Sequence, residues 1–161
     1  MKEKYAKKTR VIWEALEAVY KGTKGALRFT NPFELLVAVV LSAQTTDKRV
    51  NQITLRLFPA YSTPEKFMAL SQDGLENLIK DCGLFRMKAK NLLATSHILV
   101  RDFNQEVPKK MEELIKLPGV GRKSANVILS QAFDIPGFAV DTHVMRVSRR
   151  LGLSKGKAPE A

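Results

Sequence analysis

The chain has 161 residues, of which 27 are Lys or Arg and 16 are Asp or Glu, giving a formal charge of +11 at neutral pH. That length suits one domain, or one domain with part of another, and a hydrophobic fraction of 45% excludes a disordered polybasic tail. The longest apolar runs, such as Leu35–Leu41, are too short to span a bilayer, no apolar leader opens the chain, and the one cysteine, Cys82, excludes an internal disulfide. These features predict a compact, soluble, intracellular protein. Its excess of positive charge points first to nucleic acid as a partner, although solubility alone also rewards such an excess.

Every periodic stretch reads as helix. From Arg10 to Tyr20, the residues Ile12, Trp13, Leu16, Val19 and Tyr20 keep i, i+3, i+4 spacing, and Gly22-Thr23-Lys24-Gly25 then breaks the chain. Asn31-Pro32-Phe33-Glu34 reads as a helix start with a capping box, opening a segment through Leu41 that is apolar nearly all round and so belongs at the centre. A helix is expected from about Asp47 to Phe58, with Val50, Ile53 and Leu57 on one side. Thr63-Pro64-Glu65 and Ser71-Gln72-Asp73 start two short helices, and Gly83 is expected to end the second in a left-handed cap. Helical spacing resumes over Arg86–Phe103, Met111–Leu117 and Arg122 to about Phe133, ending at Asp134-Ile135-Pro136-Gly137. Val140-Asp141-Thr142 leads into a last helix, His143–Leu151, and the residues after Gly152 have no apolar face. No segment has strand period, so the fold class is read as all-α.

The chemistry concentrates around Leu117-Pro118-Gly119-Val120-Gly121. Two glycines around one apolar residue permit a tight turn with outward N–H groups, and with the next helix N-terminus these form an anion site. Residues 86–126 carry nine basic and four acidic side chains, net +5, so a phosphate backbone is the natural anion, although a glycine-capped helical turn is also common without one. Lys123, with Arg122 beside it, sits in a first turn whose dipole opposes positive charge. That setting favours the neutral amine, a nucleophile toward a sugar carbon; the alternative is a lysine that contacts phosphate. Asp141 reads as an N-cap stapled by Val140 and Met145, and a carboxylate fixed in that way could also orient an amine or stabilise a sugar cation.

The block Leu117-Pro118-Gly119-Val120-Gly121-Arg122-Lys123-Ser124-Ala125-Asn126, followed by Ala139-Val140-Asp141-Thr142-His143, resembles the endonuclease III family of DNA glycosylases. The likeness extends through Leu41-Ser42-Ala43-Gln44-Thr45-Thr46-Asp47 and Cys82-Gly83-Leu84-Phe85 with Lys88-Ala89, and so covers about residues 30–151. It implies a helix-hairpin-helix glycosylase fold: a six-helix barrel domain over 25–137, its hairpin near 111–133, and an incomplete second domain from 1–24 and 138–161. It implies excision of oxidised pyrimidines from duplex DNA with apurinic/apyrimidinic lyase activity. Lys123 would form a Schiff base and Asp141 would assist it. A lysine at 123 favours the lyase branch over the adenine-mismatch branch.

By the same resemblance, Gln44 would fill the gap left by the extruded base and Leu84 would wedge opposite. On its residues alone, Gln44 could simply end a helix and Leu84 could pack in the core. Leu117, Gly119, Val120, Gly121 and Arg122 would bind the backbone, with Ser42 and Gln44 at the pocket edge. The partner would be duplex DNA carrying a damaged base or abasic site, bound by a monomer in the cytoplasm or nucleoid, with no membrane. The family usually carries a [4Fe–4S] cluster on four cysteines, and one cysteine cannot ligate it, so no cofactor is expected in this chain. His143 is expected to make a structural hydrogen bond, His97 to lie at the surface or its boundary and Cys82 to be buried. The resemblance also reads the chain as short of the family's full second domain, which leaves a non-catalytic DNA-binding module as the alternative.

Overall fold

The structure, a computed structural model, describes residues 2–23 and 25–156. Lys24 of the expected chain break and residues 157–161 of the expected tail lie outside the described residues. Among those described the only regular structure is helical: α1 (Lys2–Tyr20), α2 (Pro32–Ser42), α3 (Asp47–Leu57), α4 (Pro64–Met68), α5 (Gln72–Ile79), α6 (Phe85–Asp102), α7 (Met111–Leu114), α8 (Arg122–Phe133) and α9 (Thr142–Arg150). None is long and apolar enough to cross a membrane. The chain divides into two compact units, one of residues 26–139 and one of 1–25 with 140–161.

In the larger unit α2 is the hub. Every residue from Phe33 to Leu41 is buried, and α3, α6 and α8 pack around it, while α4 and α5 lie on α6. An isolated helix of eleven residues is marginal in water, so burial of this apolar surface, not helix propensity, holds α2 in place. Phe33 and Phe67 meet edge to face at 5.1 Å, fixing α4 against its start.

Side-chain caps set the starts. Asn31, Thr63 and Ser71 accept from the backbone N–H three residues on, at Glu34, Lys66 and Gly74. The capping box is displaced by one residue, because Glu34 accepts from the N–H and hydroxyl of Thr30 instead of the N–H of Asn31. These bonds also satisfy the otherwise costly buried carboxylate of Glu34.

Two ends differ from expectation. Helix α5 stops at Ile79, and the left-handed residue beyond it is Leu84 (φ 57°), not Gly83. Helix α7 stops at Leu114, because the N–H groups of Lys116 and Leu117 turn back three residues, to Glu113 and Leu114.

In the smaller unit α1 extends eight residues further toward the N-terminus than its apolar pattern predicts. Trp13, Leu16, Val19 and Tyr20 of its stripe are exposed. Asp141 caps α9, its Oδ1 accepting from the N–H groups of His143 (3.0 Å) and Val144 (2.8 Å).

Candidate nucleic-acid and catalytic site

The Leu117–Gly121 turn is tied from both sides. Val120 N–H donates to Leu117 O at 3.0 Å, and Thr95 Oγ1 on α6 donates to Pro118 O at 3.0 Å. Gly119 adopts φ +82°, and a Cβ there would meet Asn91 Nδ2 at 3.1 Å and Val40 Cγ1 at 3.4 Å, so this position needs glycine for conformation and for space. Gly121 is different: its φ is −94° and a Cβ there would enter open space. Gly121 provides no side-chain cap for α8, whose first turn carries Arg122 and Lys123 and whose first helical N–H bond to the cap is that of Ala125 to Gly121 O. Leu117 and Val120, expected to bind the backbone, are buried and their N–H groups already donate to Leu114 O and Leu117 O, so they shape the turn and offer a phosphate no donor.

Lys123 and Ser124 at the head of α8 line a cavity of about 360 Å³ with Ser42, Gln44, Asp47 and Gln131. The structure therefore brings together Lys123 and Gln44, far apart in sequence, and adds Asp47 and Gln131, which sequence reasoning did not single out. Larger cavities of about 460 and 380 Å³ open elsewhere in the same unit and contain neither Lys123 nor Gln44. Volume alone is thus a poor guide to the chemistry here. Asp141 belongs to the smaller unit and holds its N-cap there.

Gln44 and Leu84 share an uncommon conformation. Both are exposed, with φ of 54° and 57°, in the left-handed region that costs a non-glycine residue about 1–2 kcal/mol. Leu84 is 60% exposed, which removes the alternative of a core leucine; Gln44 does lie on the loop that ends α2. The two loops touch, since a Cβ on Gly83 would stand 3.3 Å from Gln44 O. Local strain at two exposed tips is a pattern that clusters at functional sites.

Beneath them Lys88 is buried. Its Nζ donates to Leu41 O (2.8 Å), Ala43 O (2.6 Å) and Thr45 Oγ1 (3.1 Å), and lies 3.0 Å from Cys82 Sγ. Sequence reasoning missed this network, although a signal existed. Lys88, Leu92, Thr95 and Leu99 fall at i, i+4, i+7 and i+11, which sets the lysine on the apolar stripe of α6.

The remaining candidates are peripheral. His97 is exposed, and Nδ1 of the exposed His143 lies 2.9 Å from Arg146 Nη2. Cys82 is buried and donates to Leu41 O at 3.2 Å. The residues present do not fit an iron–sulfur cluster: the sole cysteine is already engaged, and no group of three or more metal-ligating side chains occurs among the described residues.

Comparison with known proteins gives these features a context. Residues 37–161 match the family model of the HhH-GPD superfamily base excision DNA repair protein. Endonuclease III of Rickettsia prowazekii (strain Madrid E) is 54% identical over 130 residues, covering 81% of this chain and 61% of that protein. Endonuclease III of Rickettsia felis is 50% identical over 149 residues, covering 92% and 70%. The chain thus spans between about three-fifths and seven-tenths of the length of these relatives.

Among solved structures, a trapped endonuclease III–DNA covalent intermediate aligns with a TM-score of 0.87 at 46% identity, over 94% of this chain and 72% of that one. A thermostable thymine-DNA glycosylase, 23% identical with a TM-score of 0.82, shares the fold. The hairpin, the lysine at the head of the helix that follows it and these alignments together show that the chain belongs to the endonuclease III family of helix-hairpin-helix base excision repair proteins.

Proposed function

We propose that the chain is a DNA N-glycosylase with apurinic/apyrimidinic lyase activity, acting on oxidised pyrimidines in duplex DNA. The observation that carries this reading is the cavity shared by Lys123 and Gln44 at the head of α8, the helix that follows the hairpin. The hairpin holds the backbone through main-chain N–H groups of Gly119, Gly121 and the Arg122 turn, with Arg122 adding charge. A damaged base leaves the stack, as base-acting enzymes require, and its sugar meets Lys123. Gln44 fills the vacancy and Leu84 wedges the opposite strand.

The Lys123 amine forms a bond to C1′ while the C1′–N glycosidic bond breaks, and the base leaves with that electron pair and takes up a proton. Loss of the amine proton and opening of the sugar ring give a C1′=N Schiff base. A proton then leaves C2′ and the C3′–O bond breaks, releasing the 3′ phosphate by β-elimination. For Asp141 the support is its match to the family's aspartate: it assists the amine and stabilises the sugar charge, while its N-cap bonds keep the carboxylate rigid.

The test is incision of duplexes carrying one oxidised pyrimidine, with borohydride present to trap the Schiff base. A covalent protein–DNA adduct supports the reading. Binding without any adduct would replace it with a non-catalytic hairpin module.

A further inference from the structure

Lys88 is a buried amine with a full set of partners and no part in the chemistry above. A lysine has three N–H donors and no acceptor, and burying it is costly unless each donor is met. Here they are met almost entirely by the two loops that carry Gln44 and Leu84. Two partners are main-chain carbonyls at the end of α2, Leu41 O and Ala43 O, which lead directly into the left-handed Gln44. The others are Thr45 Oγ1, just past that turn, and Cys82 Sγ, two residues before Leu84. Thr45 Oγ1 and Cys82 Sγ also lie 3.2 Å apart, closing the network across the loops.

Carbonyls at a helix C-terminus lack intrahelical partners, so an amine reaching them takes the place of a cap. The same amine anchors both strained residues from beneath while leaving their side chains exposed. We infer that Lys88 is a positioning residue that holds Gln44 and Leu84 in register as a pair of duplex-penetrating tips, so that recognition of a vacated site depends on an amine that never touches DNA. This rests on the roles proposed above for Gln44 and Leu84.

The test compares affinity for a duplex carrying one tetrahydrofuran abasic analogue with affinity for the same duplex intact, using the 161-residue chain and its Lys88→Met and Thr45→Val variants. Lys88→Met is expected to keep its affinity for intact duplex, which the hairpin supplies, and to lose about tenfold of the preference for the abasic duplex, the scale of hydrogen bonds to a lysine. Thr45→Val removes one acceptor and is expected to lose about threefold.

A purely structural role would lower both affinities in parallel, and that result, or an unchanged preference, would overturn the inference. If Lys88→Met fails to fold by circular dichroism, Thr45→Val decides: an unaltered preference in that variant overturns it. A wild-type chain with no preference for the abasic duplex overturns the roles of Gln44 and Leu84 themselves, and the inference with them. Failure of the variants alone leaves those roles standing.

Discussion

The two hairpin glycines are expected to separate stability from binding. In Gly119→Ala the new methyl must sit at φ +82°, which costs about 1–2 kcal/mol relative to glycine. It also presses on Asn91 Nδ2 at 3.1 Å, Asn91 Cβ at 3.3 Å and Val40 Cγ1 at 3.4 Å. Val40 lies on the buried hub helix and has little room to retreat, so crowding adds about 1 kcal/mol. Lost freedom in the unfolded chain returns about 0.4–1 kcal/mol. The net loss is about 2 kcal/mol, or about 4–8 °C in melting temperature for a chain of this size.

Gly121→Ala has the opposite profile. Its φ of −94° suits alanine and the methyl enters open space. The poorer N-cap and the entropy gain offset each other to within about 0.5 kcal/mol. That methyl would, however, stand where a phosphate approaches, and duplex affinity should fall about fivefold, the effect of disturbing one phosphate hydrogen bond. Urea unfolding followed by circular dichroism, alongside duplex titration, measures both. Equal destabilisation by the two substitutions, or a stable Gly119→Ala, would refute the reasoning.

Other consequences are equally direct. Asp141→Asn keeps a good N-cap and should leave stability within about 0.5 kcal/mol, whereas Asp141→Ala should cost about 1 kcal/mol. Both should slow Schiff-base trapping, and unchanged kinetics in Asp141→Asn would restrict the residue to capping. The Arg56 guanidinium, 2.7 Å from Asp81, holds that carboxyl below the usual range, chiefly through its hydrogen bond and with added charge from Arg49 and Lys80. The stability this pair contributes is therefore present above the ordinary aspartate range and lost as pH falls through the lowered value. In Arg56→Ala the Asp81 midpoint, followed by NMR, should rise, and an unmoved midpoint would contradict the pairing. Duplex affinity should also weaken steeply with salt as bound counterions are released, and a flat dependence would count against backbone contacts at the hairpin.

The parts legible in the sequence are those governed by local chemistry. Asn31, Thr63, Ser71 and Asp141 cap helices because their oxygens reach an N–H two or three residues away, and no distant partner is needed. Helix α8 was readable to its ends because Gly121 and Asp134 bracket it. The loop at 82–84 was not. Local propensity assigns the left-handed residue to Gly83, yet Gly83 packs against Gln44 O and the left-handed conformation falls on Leu84.

The loop is held through Cys82 by an amine six residues later, a contact that propensity does not register. Lys88 was hidden for a related reason: in a chain of +11 it reads as one more surface cation, although its register on α6 is buried. The cavity joining Ser42, Gln44 and Lys123 is likewise tertiary, produced by the packing of α8 on α2.

The central claim is that Lys123 supplies the nucleophile. Its most direct test is to reduce the wild-type protein with borohydride on abasic duplex DNA, digest the adduct and identify the modified residue by mass spectrometry. A single deoxyribose-derived adduct on Lys123 is expected, absent from Lys123→Ala even though that variant still binds duplex. An adduct on another amine, or equal trapping by Lys123→Ala, would contradict it.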